Sequence, residues 1–302
     1  MSVIVATYRR EASLRDALES LFCQSYKNIE IIVVDDNDDR EWNEKVRRCI
    51  GDFSGFNVEI KYIENHPNLG SAAARDAGIA EAEGEYITFL DDDDVYLPDK
   101  IELQIKHMIE NASDYSVTDL YLYDENGKLC DVRKRSFLPA ASQNELMRCH
   151  LMHHITGTDT MMFRRRYLVQ AGGFGMKDSG DEFYLMCRAI DGGGRFSYLS
   201  GCSVKATVHS GDGANLSSGR RKLQGERELY RFKMQYFGNY DRNTVRYIKM
   251  RHYATMAFTY LRMRHPVGFV FNSLLSLVIH PSGCLNLFFE RISASKQSGK
   301  KE

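Results

Sequence analysis

Positions 86–99 of the chain read YITFLDDDDVYLPD, an apolar segment that runs directly into four consecutive aspartates. Four like charges at one point repel one another, and carboxylates beside a buried strand cannot all be solvated. A bound divalent cation removes the conflict, because Mg²⁺ and Mn²⁺ prefer oxygen ligands and are held by carboxylates together with substrate phosphates. The stretch therefore predicts a metal and phosphate site. The alternative is a solvated acidic turn that caps a helix after Pro98.

Strands and helices alternate through the first hundred residues. Helical patterns separate strand-like apolar runs at 2–6, 29–34, 58–63 and 86–90. This alternation predicts an α/β fold with a mostly parallel sheet that is buried on both faces. Ligands of such sheets bind at the carboxyl ends of the strands. The polar clusters 7–9, 35–37 and 91–94 each follow a strand, so we expect them to share one rim.

The second half is less regular. Strands at 115–123 and 129–133 flank an Asn-Gly turn and predict a hairpin, and a further strand is expected at 158–164. A glycine turn precedes a helix that starts at Asp181, and a Gly- and Ser-rich loop at 209–219 precedes further helices. We expect one domain at 1–215, with a regular half at 1–100 and a less regular half at 101–215. A helical, basic and partly apolar region should follow at 216–302.

Composition and charge are those of a folded protein with an uneven charge distribution. The 302 residues are 43% hydrophobic and 27% charged, and the seven cysteines are scattered without a CxxC pair. Dispersed cysteines and a chain that opens on a strand predict reduced thiols, no signal peptide and a cytoplasmic location. Residues 241–302 carry +7 and the remainder −8, which points to an anionic partner for the tail.

Five short segments follow one another along the chain: VIVATY at 3–8, IVVDD at 32–36, NLGSAAARDAG at 68–78, GEYITFLDDDD at 84–94, and GGF at 172–174 followed by DEFYLMCR at 181–188. With them the chain resembles the family-2 glycosyltransferases of the GT-A fold over residues 2 to 209. Any one of the segments is weak evidence, but five in the same order are a strong signal. The resemblance implies that residues 1–215 are a catalytic domain, with a nucleotide-binding half at 1–100 and an acceptor half at 101–215.

The resemblance implies transfer of a sugar, usually with inversion, from a nucleotide-diphosphate sugar to an acceptor hydroxyl. The donor is expected to be UDP-linked, with Mn²⁺ or Mg²⁺ as cofactor, and the product to be a bacterial-type cell-surface glycan. Asp93 is implied as the direct metal ligand and Asp91 as its partner, while Asp94 is expected to cap the next helix. His209 completes the metal site in some relatives, and a structural histidine is the alternative. The residues implied in donor binding are Thr7, Tyr8, Arg9, Asp36, Arg75, Asp91 and Asp92.

Two further points follow from the same motifs. The resemblance implies that Asp36 hydrogen-bonds the base; the alternative is an aspartate that only stabilises a turn. It also implies that Arg75 reaches the diphosphate; the alternative is an exposed arginine on a helix. The family has Asn where this chain has Asp76, which puts the Arg75 contact in question.

The acceptor hydroxyl needs a carboxylate to take its proton. The family places this base in a Glu-Asp pair before a Leu-x-x-Arg helix, and here the order is reversed, Asp181 before Glu182. Counting back from Arg188 favours Glu182 as the base, whereas the preceding glycine favours Asp181. Both acids also suit the first turn of a helix.

Residues 267–279 are mostly apolar but too few to span a bilayer. With Phe288, Phe289 and the basic residues around them, they predict peripheral binding to an anionic membrane surface. Packing on the catalytic domain or on a second subunit is the alternative, so an oligomer is compatible with the sequence. Nucleic acid is not expected, because the charges are sparse and no stacking surface is evident.

Two other functions fit parts of the pattern. A sugar-nucleotide nucleotidyltransferase normally has a Gly-rich basic loop after the first strand, where this chain has Thr-Tyr-Arg-Arg-Glu. A non-catalytic module that binds nucleotide sugars would keep the fold without turnover. The expected partners are therefore a nucleotide-sugar donor and a glycan or lipid-linked acceptor.

Overall fold

The computed structural model describes residues 1–55, 58–138, 142–175, 177, 179–209 and 219–298, with side chains described up to residue 289. The chain divides into two compact units, Met1–Gln143 with Ile155–Val208, and Asn144–His154 with His209–Glu302. The predicted boundary at 215/216 and most of the predicted Gly- and Ser-rich loop fall at 210–218, outside the described residues. The predicted division into domains stays a prediction.

The strands of the first unit follow the alternation expected from the sequence and then continue into the second half. Their bounds are β1 Ser2–Thr7, β2 Glu30–Asp35, β3 Glu59–Glu64, β4 Tyr86–Phe89, β5 Val95–Tyr96, β6 Tyr115–Asp124, β7 Leu129–Arg133, β8 Met161–Arg164 and β9 Phe196–Val208.

The helices fall between these strands and beyond them. Their bounds are α1 Glu11–Phe22, α2 Arg40–Gly51, α3 Ser71–Glu81, α4 Lys100–Glu110, α5 Gln143–His153, α6 Arg165–Gln170, α7 Asp181–Asp191, α8 Gly219–Met234, α9 Arg242–Arg262, α10 Pro266–Ile279 and α11 Pro281–Ser298.

Within the described residues, the nine strands form one sheet in the order β3-β2-β1-β4-β8-β6-β9-β5, and β7 pairs with β6. The half built from β3, β2, β1 and β4 is parallel throughout. Beyond β4 the sheet is mixed, because β8 runs antiparallel to both β4 and β6, whereas β9 is parallel to β6. The α/β fold class is confirmed.

The inner strands of the parallel half, β2, β1 and β4, are buried on both faces, which explains their continuous apolar runs, whereas the edge strand β3 is half-buried or exposed. Val3, Ile4 and Val5 of β1 are all fully buried. Helix α3 packs very close to β1, since a Cβ on Gly78 would lie 2.6 Å from Ile4 Cγ2. Only glycine allows this approach. The close packing holds α3, and with it Arg75, at the rim of the sheet.

Two local predictions are wrong. Residues 158–164 are not one strand, because Thr158–Thr160 form a 3-10 turn before β8. Asp94 does not cap a helix: α4 begins only at Lys100, and Asp94 Oδ1 accepts the Thr207 N–H at 2.8 Å instead.

The second unit is helical, and α9 is its central element. Helix α9 packs against α8, α10 and α11. Its N-terminus is capped by Asp241, whose side chain accepts the N–H groups of Asn243 at 2.7 Å and Thr244 at 3.0 Å. Helix α10 is fixed to α9 by Ser276, whose Oγ donates to the Met250 carbonyl at 3.0 Å.

Candidate active site

Asp92 lies beside the end of β1 and is anchored by the last residue of that strand and the residue after it. Thr7 Oγ1 and the Tyr8 N–H both donate to Asp92 Oδ2, at 2.8 and 3.1 Å. Burial raises the pKa of Asp92 to about 6, although Arg10 and these hydrogen bonds oppose the rise. Asp92 therefore fastens the acidic run to the neighbouring strand, and it brings Thr7 and Tyr8 beside that run.

Arg10 is a site residue that the sequence reasoning missed. Its Nη1 pairs with Asp92 Oδ1 at 3.0 Å and also with Asp93 Oδ2. The available signal was a cation directly after the polar cluster 7–9, on the rim that carries four carboxylates. A metal ion at Asp93, as the sequence predicted, would either share that carboxylate with the Arg10 guanidinium or replace it. The role of Asp93 as a metal ligand stays a prediction.

Two carboxylates of the acidic run come together with a third from the 3-10 turn before β8. The ligand oxygens of Asp91, Asp94 and Asp159 all lie within 4.8 Å of one another. Asp159 also accepts the Asp91 N–H at 2.6 Å, and burial raises the pKa of Asp159 to about 7. Burial likewise raises the pKa of Asp94 well above its usual value.

Three oxygen donors so close together suit a hard divalent cation, which would relieve their repulsion. The sequence alone did not identify Asp159, because it lies 65 residues beyond Asp94 in a segment without a recognisable motif.

A buried lysine is connected to this cluster through a hydrogen-bond network. Lys100 is fully buried, and its Nζ donates to Thr88 Oγ1 at 2.6 Å and to Tyr96 Oη at 2.9 Å. Tyr96 Oη in turn donates to the Asp159 carbonyl at 3.2 Å. Burial lowers the pKa of Lys100 well below its usual value, although Asp159 opposes this. The network fixes the backbone that carries Asp159.

Arg75 joins the acidic run to the first turn of α7. Its Nη2 donates to Asp91 Oδ1 and its Nη1 to Asp181 Oδ2, both at 2.6 Å. Arg75 is 8% exposed, so the alternative of an exposed helical arginine is wrong. Burial lowers the pKa of Arg75, but the two carboxylates outweigh it and raise the pKa above its usual value. In this structure Arg75 binds carboxylates on both sides, and its contact with a diphosphate stays a prediction.

The acid pair at the start of α7 has one buried and one more accessible member. Asp181 is 4% exposed, and both its oxygens are engaged, Oδ2 by Arg75 and Oδ1 by the Glu182 N–H at 2.9 Å. Burial raises the pKa of Asp181 well above its usual value, and Arg75 only partly offsets this. Glu182 is half-buried. The two side chains thus occupy different environments although they are adjacent.

Asp76, which stands where the family has asparagine, uses both of its carboxylate oxygens in this structure. The backbone N–H groups of Phe174 and Gly175 donate to its two oxygens, at 2.7 and 2.8 Å. Gly173, directly before them, has φ +59, and a Cβ there would clash with Asp76 Oδ1. Because the two N–H groups bind different oxygens of Asp76, an asparagine in the same position would place its NH2 group against one of them. Asp76 therefore holds the glycine turn that precedes α7.

The Asp36 carboxylate accepts hydrogen bonds from the segment that leads into α3. It accepts the N–H groups of Leu69 and Gly70, both at 2.8 Å, and the Asn65 side-chain amide at 3.0 Å. These bonds hold the segment that leads into α3. A contact between Asp36 and a base stays a prediction, and it would use the acceptor capacity that these three bonds leave.

The remaining predicted residues lie nearer the surface. Tyr8 is 48% exposed, and Arg9, with φ 55, places its guanidinium 5.2 Å from the centre of the Tyr8 ring. The Arg9 N–H donates to Asn37 Oδ1 at 2.6 Å, which links the ends of β1 and β2. His209 is exposed and belongs to the second unit, so its place in a metal site stays a prediction.

Comparison with known families identifies the chain. The model of glycosyl transferase family 2 matches residues 2–171, which is more than half of the sequence. The chain belongs to this family. The match covers the acidic run, Arg75 and Asp159, and it ends ten residues before Asp181.

Relatives with similar sequences carry glycosyltransferase names. An uncharacterized glycosyltransferase of Rickettsia conorii is 40% identical over 128 residues, 42% of this chain and 20% of the relative. One of Methanocaldococcus jannaschii is 32% identical over 171 residues, 56% of this chain and 57% of the relative. The putative teichuronic acid biosynthesis glycosyltransferase TuaG of Bacillus subtilis is 30% identical over 131 residues, 43% of this chain and 50% of TuaG. In each case the match covers less than two thirds of the relative's length.

Solved structures show the same fold. Staphylococcus aureus TarS, residues 1–349, aligns over 98% of this chain and 88% of that one, with a TM-score of 0.62 and 18% identity. TarS in complex with UDP-GlcNAc aligns over 92% of this chain and 90% of that one, with a TM-score of 0.58 and 18% identity. The predicted GT-A architecture with helices after the catalytic fold is confirmed.

Proposed function

We propose that the protein is a metal-dependent, inverting glycosyltransferase that moves a sugar from a UDP-linked donor to an acceptor hydroxyl. Family membership supports the reaction class, and the TarS complexes with UDP-GlcNAc and UDP support the donor class. The observation that carries the proposal is the Arg75 bridge. One guanidinium binds both Asp91 and Asp181, which supports assigning the acidic run and the predicted base pair to a single site.

The acceptor side of this site is assigned to the first turn of α7. Glu182 takes the proton of the acceptor hydroxyl, and the oxygen then attacks the anomeric carbon of the donor sugar. The bond from that carbon to the diphosphate oxygen breaks, and the nucleoside diphosphate leaves with the electron pair. Attack from the face opposite the leaving group inverts the anomeric centre. Asp181 stays bound to Arg75 and holds the start of the helix in place.

The donor side is assigned to the carboxylates at the end of β4. Asp91, Asp94 and Asp159 would hold Mn²⁺ or Mg²⁺, with Asp93 and His209 as further predicted ligands. A divalent cation there supplies positive charge beside the leaving diphosphate. Arg10 offers a second positive charge on the same rim. Thr7, Tyr8, Arg9 and Asp36 are proposed to surround the nucleoside.

The proposed setting is the synthesis of a bacterial-type cell-surface glycan. The name of TuaG supports this, and a glycan or lipid-linked acceptor fits such a pathway. We place the enzyme at the cytoplasmic face of a membrane, which its C-terminal helices contact.

The donor-side assignment is tested by a thermal-shift panel of nucleotide sugars with and without Mn²⁺. A ligand that binds the native state raises the apparent melting temperature, so a UDP-sugar should shift it most when Mn²⁺ is present. Asp159→Asn should remove the Mn²⁺ effect, whereas the exposed Asp16→Asn control should keep it. If both variants keep the Mn²⁺ effect, the result contradicts the metal assignment. Tight donor binding without transfer to any acceptor would instead favour a non-catalytic module.

A further inference from the structure

Helix α10 buries polar side chains and exposes apolar ones, the reverse of what is expected for a helix exposed to water. Its buried residues are the polar Asn272 and Ser276. Ser276 Oγ donates to the Met250 carbonyl, and Asn272 Nδ2 donates to the Gly268 carbonyl at 2.7 Å. Phe269, Leu275 and Ile279 are half-buried, but the other large apolar side chains of the helix are exposed. They are Val267 at 74% exposed, Val270 at 52%, Phe271 at 62%, Leu274 at 57%, Leu277 at 40% and Val278 at 73%.

These exposed side chains form one continuous stripe. At about 100° per residue they fall within an arc of about 120° along the helix. Helix α11 continues the pattern with Leu285 at 48% exposed, Phe288 at 55% and Phe289 at 60%, again at intervals of three and four. An apolar surface of this size and regularity marks an interaction site. We call the exposed apolar residues of α10 and α11 together the apolar face.

The length and the bend of the two helices favour an arrangement parallel to a membrane. No single helix among the described residues is long and apolar enough to cross a bilayer. Pro266–Ile279 and Pro281–Phe289 pass that test only together, and a bend of 120° separates them. The 14 residues of α10 reach about 21 Å, short of a hydrocarbon core of about 30 Å.

The segment that carries the apolar face is positively charged from Arg242 up to Glu290. Residues 242–289 contain no Asp or Glu and six Lys or Arg. Exposed Arg262 and Arg264 stand just before the N-terminus of α10, and exposed Arg246 donates from Nε to the Ile279 carbonyl at its C-terminus, at 2.7 Å. Cations thus flank both ends of the stripe, as expected for contact with anionic lipid headgroups.

We propose that the apolar face docks into the interface of an anionic phospholipid membrane, with α10 and α11 lying in the membrane plane. Val270, Phe271, Leu274 and Val278 enter the boundary between headgroups and acyl chains, and Arg246, Arg262 and Arg264 meet the phosphates. The inference rests on the membrane setting of the proposed function and names the surface that makes the contact. The apolar stripe supplies the binding, and the arginines supply the preference for anionic lipid.

The test is flotation of the full chain with vesicles of phosphatidylcholine alone and with about 30% phosphatidylglycerol. The wild type should float with the anionic vesicles, and less so at 0.5 M salt. Phe271→Gln with Leu274→Gln should lower the partition coefficient about tenfold or more, because it removes apolar area while keeping good helix formers. The matched control is Val169→Gln with Ile109→Gln, which are 60% and 58% exposed on the first unit and should leave binding unchanged.

Three outcomes would overturn the proposal. The wild type remains unbound on anionic vesicles, or the Phe271/Leu274 variant binds as well as the wild type. Alternatively, light scattering shows a wild-type dimer that the same variant dissociates without any vesicle binding, which assigns the face to a second copy. The thermal shift with a UDP-sugar, measured on the same variants, reports the proposed function separately, because none of these residues belongs to the active site.

Discussion

Replacing Arg75 with glutamine should destabilise the first unit strongly. The guanidinium lies between Asp91 and Asp181 with a hydrogen bond of 2.6 Å to each. Glutamine fills part of the space but brings no charge. The variant therefore leaves Asp181, which is 4% exposed, as a buried carboxylate without its counter-ion.

The magnitude follows from the burial of the ion pair. Removing one partner of a buried pair costs about 3–5 kcal/mol, because the remaining charge is uncompensated. For a unit of about 200 residues this corresponds to a fall in melting temperature of roughly 6–20 °C. The matched control is Arg15→Gln, whose pair with Asp52 is exposed on both sides and should change little.

The loss should depend on pH. Burial raises the pKa of Asp181, and Arg75 lowers it, so removing Arg75 keeps Asp181 protonated to higher pH. A carboxyl with a raised folded-state pKa favours folding at low pH, and this contribution is lost as the pH rises through that pKa. The deficit of Arg75→Gln should therefore be larger at pH 8 than at pH 5. Adding Asp181→Asn should recover part of it at pH 8.

The assay is thermal unfolding of wild type, Arg75→Gln, the double variant and Arg15→Gln at both pH values. The reasoning is refuted if Arg75→Gln loses no more stability than Arg15→Gln. It is also refuted if the deficit grows toward pH 5, since that would mean that Arg75 does not neutralise a buried carboxylate.

Three further predictions concern single carboxylates. Glu182→Gln should lower the rate of transfer by about 10²-fold or more while the thermal shift with donor persists; a near-normal rate together with an inactive Asp181→Asn would move the base to Asp181. Asp76→Asn should cost about 1–3 kcal/mol in denaturant unfolding, because one of the N–H groups of Phe174 and Gly175 loses its acceptor; stability equal to that of the exposed Asp16→Asn control would exclude this role. For Glu30, burial raises the pKa, but hydrogen bonds from Ser2, Lys61 and two backbone N–H groups lower it to about 2. The stabilising contribution of Glu30 is therefore present above about pH 4.5 and is lost as the pH falls toward 2. Glu30→Gln should be less stable than the wild type at pH 6 and nearly equal to it at pH 2. A difference in stability that persists at pH 2 would contradict the assignment.

Much of the first unit was predictable from local pattern. The predicted strand 129–133 agrees with β7, and the helix predicted to start at Asp181 begins at that residue in α7. Periodicity and turn residues act within a few positions, so a single sequence displays them directly. The shared rim also followed, because parallel strands present their carboxyl ends on one side.

The partners of the charged residues were harder to predict from the sequence. Asp94 was expected at a helix terminus and instead lies beside Asp159, and Arg10 was not expected in the site at all. Arg75 was expected at a diphosphate and binds two carboxylates here. A contact between residues 106 positions apart, such as Arg75 with Asp181, leaves no periodic signal in either segment.

The sequence by itself determined that four aspartates stand at the end of a buried strand, that an acid pair opens a later helix, and that the family is one of sugar transfer. Only the tertiary structure decided which carboxylates share a cation-sized space and which share a guanidinium. The physical reason is that charge and burial act through distances in space. Asp91, Asp94 and Asp159 repel one another, and Arg75 neutralises Asp181, only because the sheet and the close packing of α3 bring them within a few ångströms.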